Sequence, residues 1–245
     1  MKRLAIFCVA AMVALSGCKR TPQIVYTQID AATAGSISGV IHFAGSAPKR
    51  IKIDMDQDPV CAKASGENLT EQYVVRHGNL ANVFVYIKDG LGERIYAAPA
   101  QPVVMDQIGC RFTPHVIGVM AAQPVEFRNS DATMHSVHTI PMQMDNESSD
   151  ISQEPMDAPE SRTYAKPELM IPVRCNSHPW MNAFINVAAN PFYAVSDGDG
   201  KFTITGLPPG TYTLAAVHEE LPEQTAVVAV QSRQSTAASF TFKAK

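Results

Sequence analysis

The chain has 245 residues, 46% of them hydrophobic and 18% charged, with a formal net charge of −3. That is an ordinary globular composition; no basic excess points to nucleic acid and no acidic run to a disordered tail. The gross numbers exclude those two classes, and function has to be sought in local groups of side chains.

Residues 1–18 read as a leader. Lys2 and Arg3 give a positive start, and Leu4 to Leu15 is an apolar run too short to cross a bilayer. Leu15-Ser16-Gly17-Cys18 resembles the bacterial lipobox. The resemblance implies cleavage before Cys18, a lipid on its sulfur and a periplasmic protein anchored to a membrane. Lys19 at the next position leans towards the outer membrane. Residues 19–34, polar and alanine-rich, read as a tether.

From there the chain reads β almost throughout. Residues 36–43 alternate at period two and meet Gly45 and Pro48. Residues 82–87 form a second such run, stopped by Asp89-Gly90. Short strands are expected at 116–120 and 124–127. Residues 142–168, rich in Asp, Glu, Ser and Pro, read as a long exposed loop. Residues 169–174 lead into the stretch Cys175-Asn-Ser-His178-Pro-Trp180-Met181, and 183–187 lead out of it. Ser196-Asp-Gly-Asp-Gly-Lys-Phe-Thr-Ile204 and Gly206-Leu-Pro-Pro-Gly-Thr-Tyr-Thr-Leu214 each pair a turn with a strand.

Those two C-terminal phrases resemble the carboxypeptidase regulatory-like domain, a small transthyretin-type β-sandwich. In that family a strand like 35–43 opens the domain, a strand like 81–87 follows, and the Asp-Gly-x-Phe segment comes directly after. Here about a hundred residues intervene. The expected organisation is therefore a discontinuous sandwich of 35–95 plus 190–245, with 96–189 as a second module. The alternative is two modules in series.

Of the five cysteines, Cys8 belongs to the leader and Cys18 to the lipid anchor. Cys61, Cys110 and Cys175 remain, and an odd number leaves at least one outside a disulfide. One partition pairs Cys61 with Cys110 and leaves Cys175 free for metal. The other ties Cys175 into a disulfide and removes it from any metal site.

A thiol, an imidazole and a thioether at steps of three suit copper, a metal that accepts soft and intermediate donors. Two imidazoles and a thiolate in a plane, with a long axial thioether, make a blue-copper arrangement. The second imidazole has a candidate in Val125-Glu-Phe-Arg-Asn129-Ser-Asp-Ala-Thr-Met-His135-Ser-Val-His138, an apolar strand, a turn and a histidine opening the next strand. Both pieces resemble the cupredoxins, in particular the amicyanins, whose ligand loop runs Cys-x-x-His-Pro-aromatic-Met.

The cupredoxin resemblance implies a Greek-key β-sandwich over 96–189. It implies a single copper held by His135, Cys175 and His178, with Met181 axial. Asn129 and His138 are expected next to the ligands, with Asn129 or a backbone N–H near the sulfur. Trp180 is expected either to pack the loop or to lie by an exposed edge of His178 where a redox partner docks. Met134, Met142 and Met144 are expected to fill an apolar end of the sandwich or to form a second Cu(I)-type site. His115 reads as a structural residue, the alternative being a place beside the ligands or an exchangeable ligand. The function implied is one-electron transfer, not catalysis, with a dehydrogenase or cytochrome as partner and an amine dehydrogenase as one donor. Copper storage and a metal-free carbohydrate-binding or adhesion module are the competing readings.

Overall fold

The computed structural model describes residues 24–64 and 66–244. The leader and Cys18 lie outside the described residues. The molecule is all-β, as the sequence pattern implies. Among the described residues the helical element is a single 3-10 turn at Cys61–Lys63. The strands form two β-sandwiches.

The first sandwich is assembled from both ends of the chain. Gly35–Phe43 runs antiparallel to Lys201–Leu207 and parallel to Ser235–Phe242. The facing sheet has the order Tyr193–Val195, Phe84–Asp89, Gly210–His218 and Leu221–Val230. Period-two alternation sends Phe202 and Ile204 inward, and a register shift after Thr205 brings Leu207 in as well, against Ile37, Ile41, Leu214 and Phe240. The turn before Lys201–Leu207 is closed by Asp197, whose Oδ1 accepts the amides of Asp199 and Lys201, each at 2.9 Å. Gly200 takes φ +74° there, with Ile41 O 2.8 Å from where a Cβ would stand. Only glycine combines that backbone angle with that approach.

The second sandwich is built from the intervening chain. One sheet has the order Ser149–Gln153, His135–Thr139, Glu168–Arg174, Asn182–Ala188 and Val116–Met120. The other has the order Glu160–Thr163, Pro124–Asn129, Val103–Gln107 and Phe112–Thr113. Met105, Phe112, Val119, Val125, Phe127, Val137, Ile171, Val173 and Ile185 fill the space between them.

Two features differ from the expectations. Residues 142–168 are not one loop, because they contain the strands Ser149–Gln153 and Glu160–Thr163. Their inward positions are partly polar, so the hydrophobic alternation is hidden. Ser149 bonds Thr139 hydroxyl to hydroxyl at 2.9 Å, and the Gln153 amide reaches Phe127 O at 3.1 Å. Residues 51–63, grouped by sequence with the first sandwich, lie against the second: Met55 and Cys61 are buried in its core. A disulfide between Cys61 and Cys110 holds this arm.

The sandwiches meet through Phe84, Ala188 and Val217, with Tyr193 and Met170 at the margin. Gly118 permits the approach, since a Cβ there would fall 2.6 Å from the Phe84 ring.

Candidate metal centre

Two chain segments meet at one end of the second sandwich. His135 is the first residue of the strand His135–Thr139, after the turn that follows Asn129. Cys175 comes immediately after Glu168–Arg174, and His178 lies in the loop between that strand and Asn182–Ala188. The loop is closed on itself: the Met181 amide donates to His178 O at 2.9 Å, and the Cys175 amide to Met181 O at 3.3 Å. Met181 is buried in the core alongside Cys175.

The donor atoms converge. His135 Nδ1 and His178 Nδ1 are 2.9 Å apart, and Cys175 Sγ is 3.6 Å from His178 Nδ1. One donor atom from each of His135, Cys175 and His178 lies within 4.8 Å of the others, and all three residues are buried. Donors about 2.0–2.3 Å from a shared ion in a trigonal plane are roughly 3.5 Å apart. The spacing matches once the two nitrogens part by about half an ångström.

The outward nitrogens explain why these lone pairs face one another. His135 Nε2 bonds Asp131 Oδ2 at 2.9 Å, and His178 Nε2 bonds Asp58 Oδ2 at 3.2 Å. A carboxylate only accepts, so each Nε2 carries a hydrogen, and in the neutral ring each Nδ1 keeps its lone pair inward. Two imidazole lone pairs and a sulfur then point at one spot, an arrangement that repels itself unless a cation sits there. A proton or a metal ion meets that need, and the soft-to-intermediate donor set suits copper or zinc. The residues therefore fit a metal.

The same demand appears in the protonation behaviour. Burial pushes the Cys175 thiol up, but hydrogen bonding from His135 and Ser136 outweighs it and brings the group down to about 6. Burial opposes charge on His135 too, yet Asp131 and the Cys175 sulfur raise it to about 9. Burial likewise works against ionised Asp58, and bonds from Thr133, the amides of Val60 and Cys61, and His178 bring it down to about 2. Asp131 is lowered against burial by His135 and the amides of Cys110 and Gly109.

The groups expected around the ligands divide. The sulfur accepts the Ser136 amide at 3.3 Å, so the donor beside it is a backbone N–H. Asn129 does not take that place. Its Nδ2 donates to Thr133 O at 2.9 Å and Gln153 O at 3.0 Å, and its Oδ1 accepts the Asp131 amide at 3.0 Å, which shapes the turn that aims Asp131. His138 pairs across the sheet with Asp150 and Arg174, is part-exposed and is not in the cluster, because alternation carries it away from His135.

Trp180 packs the loop. Its ring is 5.1 Å from that of His178, and Nε1 donates to Cys110 O at 3.2 Å. The edge of His178 is not exposed as expected: only 4% of the residue is accessible, with Asp58 against it. Met134, Met142 and Met144 do not fill an apolar end; they are 37%, 86% and 100% exposed. His115 stands apart, bonding Glu219 Oε1 at 2.6 Å and Asn182 O at 3.1 Å.

Sequence reasoning missed Asp58, Asp131 and Ser136 as site residues. Asp131 had a signal, a carboxylate in the turn four residues before the candidate ligand. Asp58 had a weaker one, its place three residues before a cysteine whose partner Cys110 lies near that turn.

The site is thus a buried His-Cys-His centre in an all-β scaffold, each imidazole backed by a carboxylate. A family model, the carboxypeptidase regulatory-like domain, matches residues 176–243, a span that begins in the ligand loop and covers the C-terminal strands. No curated protein matches the chain. Solved structures similar to part of it include a Cu-containing nitrite reductase from Thermus scotoductus SA-01, 22% identical with TM-score 0.34 over 42% of this chain and 26% of that one. Amicyanin from Paracoccus versutus is 17% identical with TM-score 0.32, over 42% of this chain and 97% of its own. A purple cupredoxin from Nitrosopumilus maritimus is 14% identical with TM-score 0.30, over 36% and 98%.

Proposed function

We propose that the protein is a one-electron carrier with a single blue copper centre that would be held by His135, Cys175 and His178, with Met181 as the fourth donor. The observation that carries this reading is the convergence of two Nδ1 lone pairs and one free, buried thiol on a single point. Copper bound there supplies the Cu(I)/Cu(II) couple.

The protein's own residues prepare that chemistry. Cys175 is held as a thiolate, the form that ligates, and the Ser136 amide donates to its sulfur and moderates its charge. Four strand or loop positions provide the donors, so the set is saturated and leaves no position for a substrate. That favours a carrier over an enzyme. Strand pairing on both sides of the ligand loop limits movement between redox states.

The resemblance of residues 15–18 to a lipobox supports a periplasmic protein anchored to a membrane by lipid. The partner proposed is a redox protein, a dehydrogenase or cytochrome; an amine dehydrogenase is the specific donor the ligand loop suggests. With Asp58 covering His178, a partner docking at this end meets Asp58 and Trp180 instead of a bare imidazole edge.

The test is the visible spectrum of copper-loaded protein beside Cys175→Ser. An intense thiolate-to-copper band that bleaches reversibly on reduction, and is lost in the variant, is expected. An identical spectrum in the variant would remove Cys175 from the site. Colourless, tight Cu(I) binding would favour storage or handling, to which the exposed Met142 and Met144 are suited.

A further inference from the structure

We propose that Asp58 and Asp131 are positioning residues for the two histidine ligands, and that the Cys61–Cys110 disulfide joins them into one clamp. The inference deepens the copper reading above and rests on it for its functional meaning.

Each carboxylate holds one histidine and one half of the disulfide. Asp131 Oδ2 accepts from His135 Nε2 at 2.9 Å and from the Cys110 amide at 2.7 Å, while its Oδ1 accepts the Gly109 amide at 2.7 Å. Asp58 Oδ2 accepts from His178 Nε2 at 3.2 Å, and its Oδ1 from the amides of Val60 at 2.7 Å and Cys61 at 3.3 Å. The connection runs from His178 through Asp58 to Cys61, across the disulfide to Cys110, and through Asp131 to His135. The inward nitrogens of the two histidines meet at its ends, so it is a closed ring.

Two cross-links tighten the ring. Thr133, two residues before His135, donates its hydroxyl to Asp58 Oδ2 at 2.8 Å. Trp180 in the ligand loop donates to Cys110 O at 3.2 Å. Cys110 thus binds Asp131 through its amide, Trp180 through its carbonyl and Cys61 through its sulfur. It also has φ +55°, a region that a non-glycine residue occupies at a cost and keeps where its surroundings over-determine it.

The clamp has consequences for the ligands. It fixes the Nε2–H tautomer of both imidazoles, so the ligating lone pairs face inward. It places two anionic groups behind neutral ligands, which raises ligand basicity and favours the more highly charged metal state. It also leaves neither imidazole free to rotate away, since each is hydrogen-bonded to a carboxylate anchored on backbone amides.

The test uses full-length protein with Asp58→Asn, Asp131→Asn and the double variant Cys61→Ala/Cys110→Ala. Asparagine keeps the carboxylate's shape and one acceptor but no longer fixes the tautomer. In metal-free protein held above about pH 9, where His135 is neutral, long-range 1H–15N NMR of the histidine rings should report His135 and His178 with the hydrogen on Nε2. Asp58→Asn should release His178 alone, Asp131→Asn should release His135 alone, and the disulfide variant should loosen both.

Titration with Co(II) and with copper should then show affinity reduced by about 10- to 100-fold in each aspartate variant, and the copper potential should rise. Unchanged ring tautomers in both aspartate variants, with affinity within about twofold of the parent against that expected loss, would overturn the proposal. If the parent binds no metal while the tautomer changes occur as described, the clamp stands and the copper reading falls. Should the disulfide variant fail to fold by circular dichroism, the aspartate variants decide the matter by themselves.

Discussion

The Cys61–Cys110 bridge should contribute a large part of the stability of the second sandwich. It closes a loop with a sequence separation of 49. Loop-closure entropy for that length corresponds to about 4 kcal/mol at room temperature. Alanine is the apt replacement at both positions, because both cysteines are buried and a serine hydroxyl would lack a partner. Trp180 is the chain's single tryptophan and donates to Cys110 O, so its fluorescence reports on this sandwich and not on the other. Urea unfolding of Cys61→Ala/Cys110→Ala, followed by that fluorescence, should have a midpoint lower by about 2 M for an m-value of about 2 kcal/mol/M. The m-value itself should rise, because an unbridged unfolded chain exposes more surface. A midpoint drop below about 0.5 M, with the native emission spectrum intact, would refute the claim that the arm at 51–63 is stapled to this core by the disulfide.

Other substitutions test separate parts of the structure. Met181→Leu nearly conserves volume and should cost less than about 1.5 kcal/mol in urea unfolding. It should retain the thiolate-to-copper colour and raise the copper potential, because an electron-pair donor is removed; an unchanged potential would place the thioether outside copper's reach. His218 is buried and its pKa is pushed down to about 4, chiefly by burial. Its folded state is neutral while the unfolded chain binds a proton near pH 6.5, so stability is complete above that value and declines as pH falls towards 4. The loss amounts to about 3 kcal/mol, and calorimetry across that window should show it for the parent and not for His218→Gln. Gly118→Ala forces a methyl group against Phe84 and Tyr193 between the two sandwiches and should cost about 1–3 kcal/mol in thermal unfolding. Phe84→Leu in the same chain should recover part of that loss, and no recovery would show that the strain is relieved elsewhere.

Much of this molecule is written in short-range pattern. Alternation at 36–43 and 201–204 is enough to mark strands, since period two needs no partner to be read. The spacing of Cys175, His178 and Met181 follows from a short loop between two strands, and it places three unlike donors in one segment wherever that loop folds. The strand at 149–153 escaped because Ser149 and Gln153 face inward with hydrogen bonds to Thr139 and Phe127 O, and a polar inward residue looks like loop until its partner is known. The cupredoxin resemblance offers Asn129 or a backbone N–H for the place beside the sulfur; the fold gives it to the Ser136 amide and turns Asn129 back onto the chain beneath Asp131.

The identity of the donors was therefore determined locally, by residue type and spacing. Their surroundings were decided by tertiary structure. Asp58 meets His178 from a separation of 120 residues, and it does so because a disulfide folds its arm over the second sandwich. Spacing along the chain names the atoms able to bind an ion, but only long-range packing determines which carboxylates stand behind them and whether solvent reaches them.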